Sequence, residues 1–150
     1  MDNKYKITTK CDDDTIEVAQ NLESEKFPNM VICLNGDLGS GKTVFTKGFA
    51  SAMGISDVTS PTFNIIKEYE GELPLYHVDV YRTDGKVDSL GLDEYYTKGG
   101  VTIIEWAEMI EEYLPSERLD ITFKITGENS RVMVIVPHGD KYISVCEDAL

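Results

Sequence analysis

Apolar positions along the chain follow two patterns. Met30 to Leu34 (MVICL) and the run VTIIE (101–105) are short and continuous, as in strands buried on both faces. Over 15–27, Ile16, Ala19, Leu22 and Phe27 recur at helical spacing. Asp12 to Asp14 precede them, and Glu17 follows three residues after Asp14, which predicts an N-cap and capping box. KTVFTKGFASAM (42–53) is helical in pattern, and Gly54 suits the position just beyond its end.

KYKITT (4–9) predicts a short edge strand, and IIKEYEG (65–71) and LPLYHVDVY (73–81) predict two more. RLDITFKI (118–125) and RVMVIVP (131–137), joined by TGENS, predict an antiparallel hairpin. The segment 55–64 is a loop by its Ser, Thr, Asp and Pro content. Residues 84–99 are mixed, with a short helix stopped by the pair Gly99–Gly100, and a further helix is predicted over 107–114. The last twelve residues carry no clear signal. Strands alternating with helices through the first two thirds predict an α/β sheet, and the closing hairpin makes it mixed. At 150 residues a single domain, 1–150, is expected.

One stretch fits this scheme less easily. YHVDVYR (76–82) offers Tyr76, Val78 and Val80 to a core, yet carries His77, Asp79 and Arg82 beside them. Such a segment is either a half-exposed edge strand or one whose polar face meets a ligand.

Gly36-Asp37-Leu38-Gly39-Ser40-Gly41-Lys42-Thr43 matches G-x-x-x-x-G-K-[ST] in full. It follows an apolar strand and opens a helix, the arrangement its chemistry requires. Backbone N–H groups of the turn wrap a phosphate, and the helix N-terminus adds its positive end. Lys42 is expected to reach the β and γ phosphates and Thr43 to bind Mg²⁺. The expected fold is therefore a P-loop NTPase-type three-layer sandwich, its sheet mostly parallel with the antiparallel hairpin added. In such sheets ligands sit at the carboxyl ends of the strands, so Glu105 and Asp79 are both candidates for the metal-side acid. Thr62, in Ser60-Pro61-Thr62, is placed to sense the γ phosphate from a switch loop.

Charge and absences narrow the function. The chain has 14 Lys and Arg against 27 Asp and Glu, a net charge of −13. That surface repels phosphate backbones, so little direct contact with nucleic acid is expected. No Asn-Lys-x-Asp guanine signature occurs, which favours ATP over GTP. The three arginines, Arg82, Arg118 and Arg131, form no cluster for a kinase lid, so intrinsic hydrolysis should be slow. Cys11, Cys33 and Cys146 lack zinc or redox spacing and read as reduced thiols, Cys33 in the core. No apolar run approaches the roughly 20 residues of a membrane span. The first twenty residues have no apolar signal core, and a cytoplasmic location is expected.

GDLGSGKT, SPTF, HVDVYR, LGLDEYY and IIEW, in this order and spacing, resemble the bacterial TsaE (YjeE-type) ATPases over roughly residues 15 to 125. The resemblance implies an ATPase using ATP and Mg²⁺ in threonylcarbamoyladenosine modification of tRNA. It would support a transferase pair, TsaB–TsaD, rather than attach the group itself. Residue by residue it implies that Asp37, Leu38, Gly39, Ser40, Gly41, Lys42 and Thr43 hold the phosphates. Glu105 would be the metal-side acid, and Asp79 the second acid, near the attacking water or the switch. His77, on the same strand face as Asp79, is expected to support it. Trp106 belongs to the same motif as Glu105. Two positions depart from the family's usual pattern: Ala107 stands where proline is common, and Val78 where phenylalanine is. Both should alter packing more than chemistry. A small-molecule P-loop kinase and a nucleotide-gated binding module remain as alternatives. The base-contacting residues are not legible; the Cys11 to Asp14 loop is a segment that could approach the base.

Overall fold

The computed structural model describes residues 4–56, 58–59 and 65–150. Among these, seven strands form one sheet in the order β1-β7-β6-β2-β5-β4-β3. The strands are β1 (Tyr5–Thr9), β2 (Val31–Asn35), β3 (Ile66–Tyr69), β4 (Leu75–Asp79), β5 (Val101–Glu105), β6 (Arg118–Ile125) and β7 (Arg131–His138). The centre is parallel, with β2 between β5 and β6 and β4 beside β5. Both flanks are antiparallel: β6–β7–β1 on one side and β4–β3 on the other. The continuous apolar runs occupy the middle of the sheet, and the alternating ones lie toward its edges.

Three helices cover one face: α1 (Asp12–Glu23), α2 (Lys42–Ala52) and α4 (Asp140–Ala149). Against Ile32, Leu34, Ile103, Leu119 and Ile121 they bury Leu22, Phe45, Phe49, Tyr142 and Cys146. Each such aliphatic or aromatic side chain contributes about 1.5–3 kcal/mol by leaving water. The other face is thinner. Val31, Cys33, Val78, Val80 and Ile104 pack there under the one-turn α3 (Leu92–Tyr95) and a 3-10 segment, Ala107–Tyr113. The three layers expected for a P-loop fold are present.

Several boundaries differ from the sequence reading. α1 starts at Asp12, not 15, and Cys11 stands at its N-cap without a side-chain cap bond. Asp14 instead reaches back to accept the Lys10 N–H at 2.8 Å, while three acids occupy the first turn, where the helix dipole favours them. β4 ends at Asp79, because Tyr81–Thr83 turns into a 3-10 segment. The segment after β5 is 3-10 rather than α-helical, broken at Ile110 (φ −133°, ψ 37°). The C-terminal residues form an amphipathic helix, with Tyr142, Val145 and Cys146 on its buried side.

Two contacts fix the helical layer. The Tyr142 hydroxyl accepts the Val31 N–H at 2.8 Å, at a residue where β6 has not begun to pair with β2. Burial pushes that phenol up to about 12. α1 and α2 approach at backbone distance: a Cβ on Gly48 would lie 3.0 Å from the Ile16 Cα and 3.3 Å from the Ala19 Cβ.

Candidate nucleotide site

The glycine-rich turn joins the end of β2 to the start of α2. Its geometry depends on residues without a side chain. Gly41, the N-cap of α2, has φ +115°. A Cβ at Gly36 (φ +143°) would come within 2.7 Å of the Ser40 Oγ and 2.8 Å of the Phe123 carbonyl oxygen. The Gly36 N–H is taken by Glu108 Oε2 at 3.1 Å.

Lys42 is folded into its own loop. Its Nζ donates to the Gly36 carbonyl, to the Asp37 carbonyl at 2.9 Å and to the Ser40 hydroxyl at 3.5 Å. It also lies 3.9 Å from the ring centroid of Trp106. Burial pushes the ammonium below its usual range, against the pull of Glu105, Glu108, Asp79 and Asp37. Trp106 leaves β5 in a left-handed conformation (φ 65°), and the Tyr81 ring packs on it at 4.6 Å. The indole thus lies over the phosphate loop while also packing against the core of the thinner face.

The carboxyl ends of β4 and β5 bring the two acids side by side, Asp79 in register with Glu105. Thr43 donates its hydroxyl to Glu105 Oε1 at 3.2 Å. Asp79 is half-buried, and its Oδ1 accepts the Tyr81 N–H at 3.0 Å. Burial pushes the Asp79 carboxyl above its usual range; the Tyr81 N–H works against this and the Glu105 charge adds to it.

One cavity of about 580 Å³ joins these parts. Leu38, Gly39, Ser40, Gly41, Lys42 and Thr43 line it together with Asp79, Glu105, Arg82 and Trp106. Asp37 is exposed beside it and contributes its carbonyl to Lys42. Thr62 lies outside the described residues. The far wall comes from the end of β1 and the start of α1: Thr9, Cys11, Asp12 and Thr15.

His77 departs from the expectation. It is fully buried and makes its hydrogen bond to Glu105 rather than to Asp79; its Nε2 lies 2.5 Å from Glu105 Oε2. The reason is strand geometry. His77 is level with Ile103, two residues before Glu105 on the neighbouring strand, so the ring reaches diagonally across β5. Arg131 carries no local signal in the sequence. The hairpin turn brings its guanidinium to the Gly39 carbonyl at 3.0 Å while it also holds the carbonyls of Gly127 and Ser130.

A parallel-centred sheet with this loop between its middle strand and a covering helix defines a P-loop protein. Residues 9–133 match the model of the family described as "Threonylcarbamoyl adenosine biosynthesis protein TsaE". The TsaE protein of Bacillus subtilis is 49% identical over 147 residues, covering 97% of this chain and 93% of the relative. That of a Nostoc species is 37% identical over 145 residues, covering 91% and 88%. The crystal structure of Bacillus subtilis YdiB superposes with a TM-score of 0.88 at 44% identity, over 99% of this chain and 95% of that one. The chain belongs to the TsaE family of threonylcarbamoyl adenosine biosynthesis proteins.

Proposed function

We propose that this protein is a Mg²⁺-dependent ATPase that supports the TsaB–TsaD transferase pair in threonylcarbamoyladenosine modification of tRNA, from the cytoplasm. The observation that carries the reading is Lys42 at the head of a glycine loop, in one cavity with Thr43, Asp79 and Glu105. The loop amides and Lys42 would bind the phosphates. Thr43 and Glu105, two oxygen donors, would hold Mg²⁺. Among the described residues no cluster of three His, Cys, Asp or Glu side chains could hold a metal. Mg²⁺ takes one or two protein ligands and completes its shell with water and phosphate oxygens. When bound, the ion neutralises charge on the transferring phosphate. Asp79, whose carboxyl is held above its usual range, would orient the attacking water and take its proton. The wall formed by Thr9, Cys11 and Thr15 would face the base.

A partner is supported at the mouth of the cleft. Leu38 (71% exposed) and Tyr81 (48% exposed) stand there as large hydrophobics open to water. The acidic surface argues against much direct contact with tRNA, and no described helix is long and apolar enough to cross a membrane.

The test is a melting-temperature shift with Mg-ATP, followed by phosphate release with and without the transferase pair. Wild type should shift and Lys42→Ala should not. Turnover should be slow alone, change with the pair, and fall in Glu105→Ala and Asp79→Ala. Equal shifts in wild type and Lys42→Ala would overturn nucleotide binding at this loop. Phosphate delivered to a metabolite instead of water would select a kinase. Partner binding that needs ATP, with cellular function intact in Asp79→Ala, would select a nucleotide-gated module.

A further inference from the structure

The His77–Glu105 pair is a deeply buried polar contact behind the cleft. His77 is 0% exposed and Glu105 3%. Among the described residues an imidazole in that position gives up its water for a single partner, since its Nδ1 has no hydrogen-bonding neighbour there. Nε2 is therefore the donating nitrogen, and the Glu105 carboxylate is its acceptor. An apolar side chain would fill the same space between the layers without stranding a ring nitrogen, so core packing alone does not account for a histidine here.

What the contact does is visible at the other carboxylate oxygen. Glu105 Oε2 is tied to His77 on β4, while Oε1 lies against the Thr43 hydroxyl at the start of α2. One oxygen is anchored inside the sheet and the other is left at the cavity, level with Thr43. A histidine that holds a ligating carboxylate from behind fixes its rotamer before the ion arrives.

We propose that His77 is a positioning residue for the divalent cation: it orients Glu105 so that Oε1, with Thr43 Oγ1, is presented to the ion bound with the nucleotide. The inference rests on the nucleotide-site reading above and adds a role that Lys42 and the loop do not share.

The experiment measures Mn²⁺ binding to the protein–ADP complex by electron paramagnetic resonance, in wild type, His77→Leu, His77→Phe and His77→Gln. ADP binding in EDTA, which depends on Lys42 and the loop, serves as the control for a folded site. In the two apolar variants the dissociation constant for Mn²⁺ should rise about 10- to 100-fold, with ADP affinity in EDTA within about 2-fold of wild type. His77→Gln keeps one N–H donor and should recover most of the Mn²⁺ affinity. Apolar variants that bind ADP and retain wild-type Mn²⁺ affinity would overturn the proposal. A glutamine variant that binds ADP but loses Mn²⁺ affinity by 10-fold or more would overturn the hydrogen bond as its basis, and this holds even if both apolar variants fail to fold. Wild type that binds no ADP at all would instead sink the nucleotide-site reading on which the proposal stands.

Discussion

Arg131 offers the sharpest test of how the hairpin and the phosphate loop depend on each other. Its guanidinium is half-buried and donates to Gly39, Gly127 and Ser130 carbonyls at 2.8–3.0 Å. The last two bonds are local and shape the turn. The first spans 92 residues of sequence and ties β7 to the loop that would cradle phosphate. A hydrogen bond from a charged donor is worth about 1.5–3 kcal/mol when buried. Partial exposure lets water replace some of it, so Arg131→Ala should cost about 1–2 kcal/mol in total. For a chain of this size that is a fall in melting temperature of about 2–8 °C. The nucleotide should be bound more weakly as well, by about 5- to 30-fold, because the loop loses an anchor and a nearby positive charge together. Arg131→Lys keeps the charge but lacks the second nitrogen that lets the guanidinium hold the turn carbonyls and Gly39 together, so it should recover affinity better than stability. Thermal melting and ADP titration of the three proteins check this. An Arg131→Ala protein that melts within about 1 °C of wild type and binds ADP within about 2-fold would refute the coupling.

Asp79→Asn should raise the melting temperature at neutral pH while lowering ATP turnover about 100-fold or more. Because burial holds the Asp79 carboxyl above its usual range, its favourable contribution is present at low pH and lost as pH rises through that elevated value. The gain from asparagine should therefore shrink as the solution is acidified; a gain independent of pH would count against it. Tyr142→Phe strands the buried Val31 N–H and should destabilise the protein by about 1–3 kcal/mol in urea denaturation. In wild type, stability should fall above about pH 10 as the unfolded phenol ionises and the folded one, pushed up to about 12, does not. Phenylalanine at 142 should flatten that alkaline limb.

The sheet's centre is legible in the sequence because its strands are buried on both faces and therefore uninterrupted. Lys42 and Thr43 can be read from the glycine motif that joins an apolar strand to a helix, and Glu105 because it ends an apolar run, where the chain must leave the sheet. His77 stands out along the chain, but the sequence pairs it with the wrong acid. Alternation along β4 says which face a residue takes and not which neighbour lies diagonally across β5. Arg131 and Glu108 give no sign of their roles because their partners, Gly39 and Gly36, are supplied by distant chain. The C-terminal helix escapes notice although Tyr142, Val145 and Cys146 hold helical spacing; the charged residues around them mask the stripe. The 3-10 form of Ala107–Tyr113, entered through the left-handed Trp106 and broken at Ile110, has no local signature in the sequence.

The close approach at Gly48 reaches beyond core packing. α1 carries one wall of the cleft at its first turn, through Cys11, Asp12 and Thr15; α2 carries the other at its own, through Lys42 and Thr43. With the two backbones touching, these walls cannot slide apart independently. They form a gauge of fixed span, set against the length of whatever molecule lies between them. A larger residue at position 48 would reset that gauge, and the fault would be felt at the two ends of the ligand rather than in the core where the change was made.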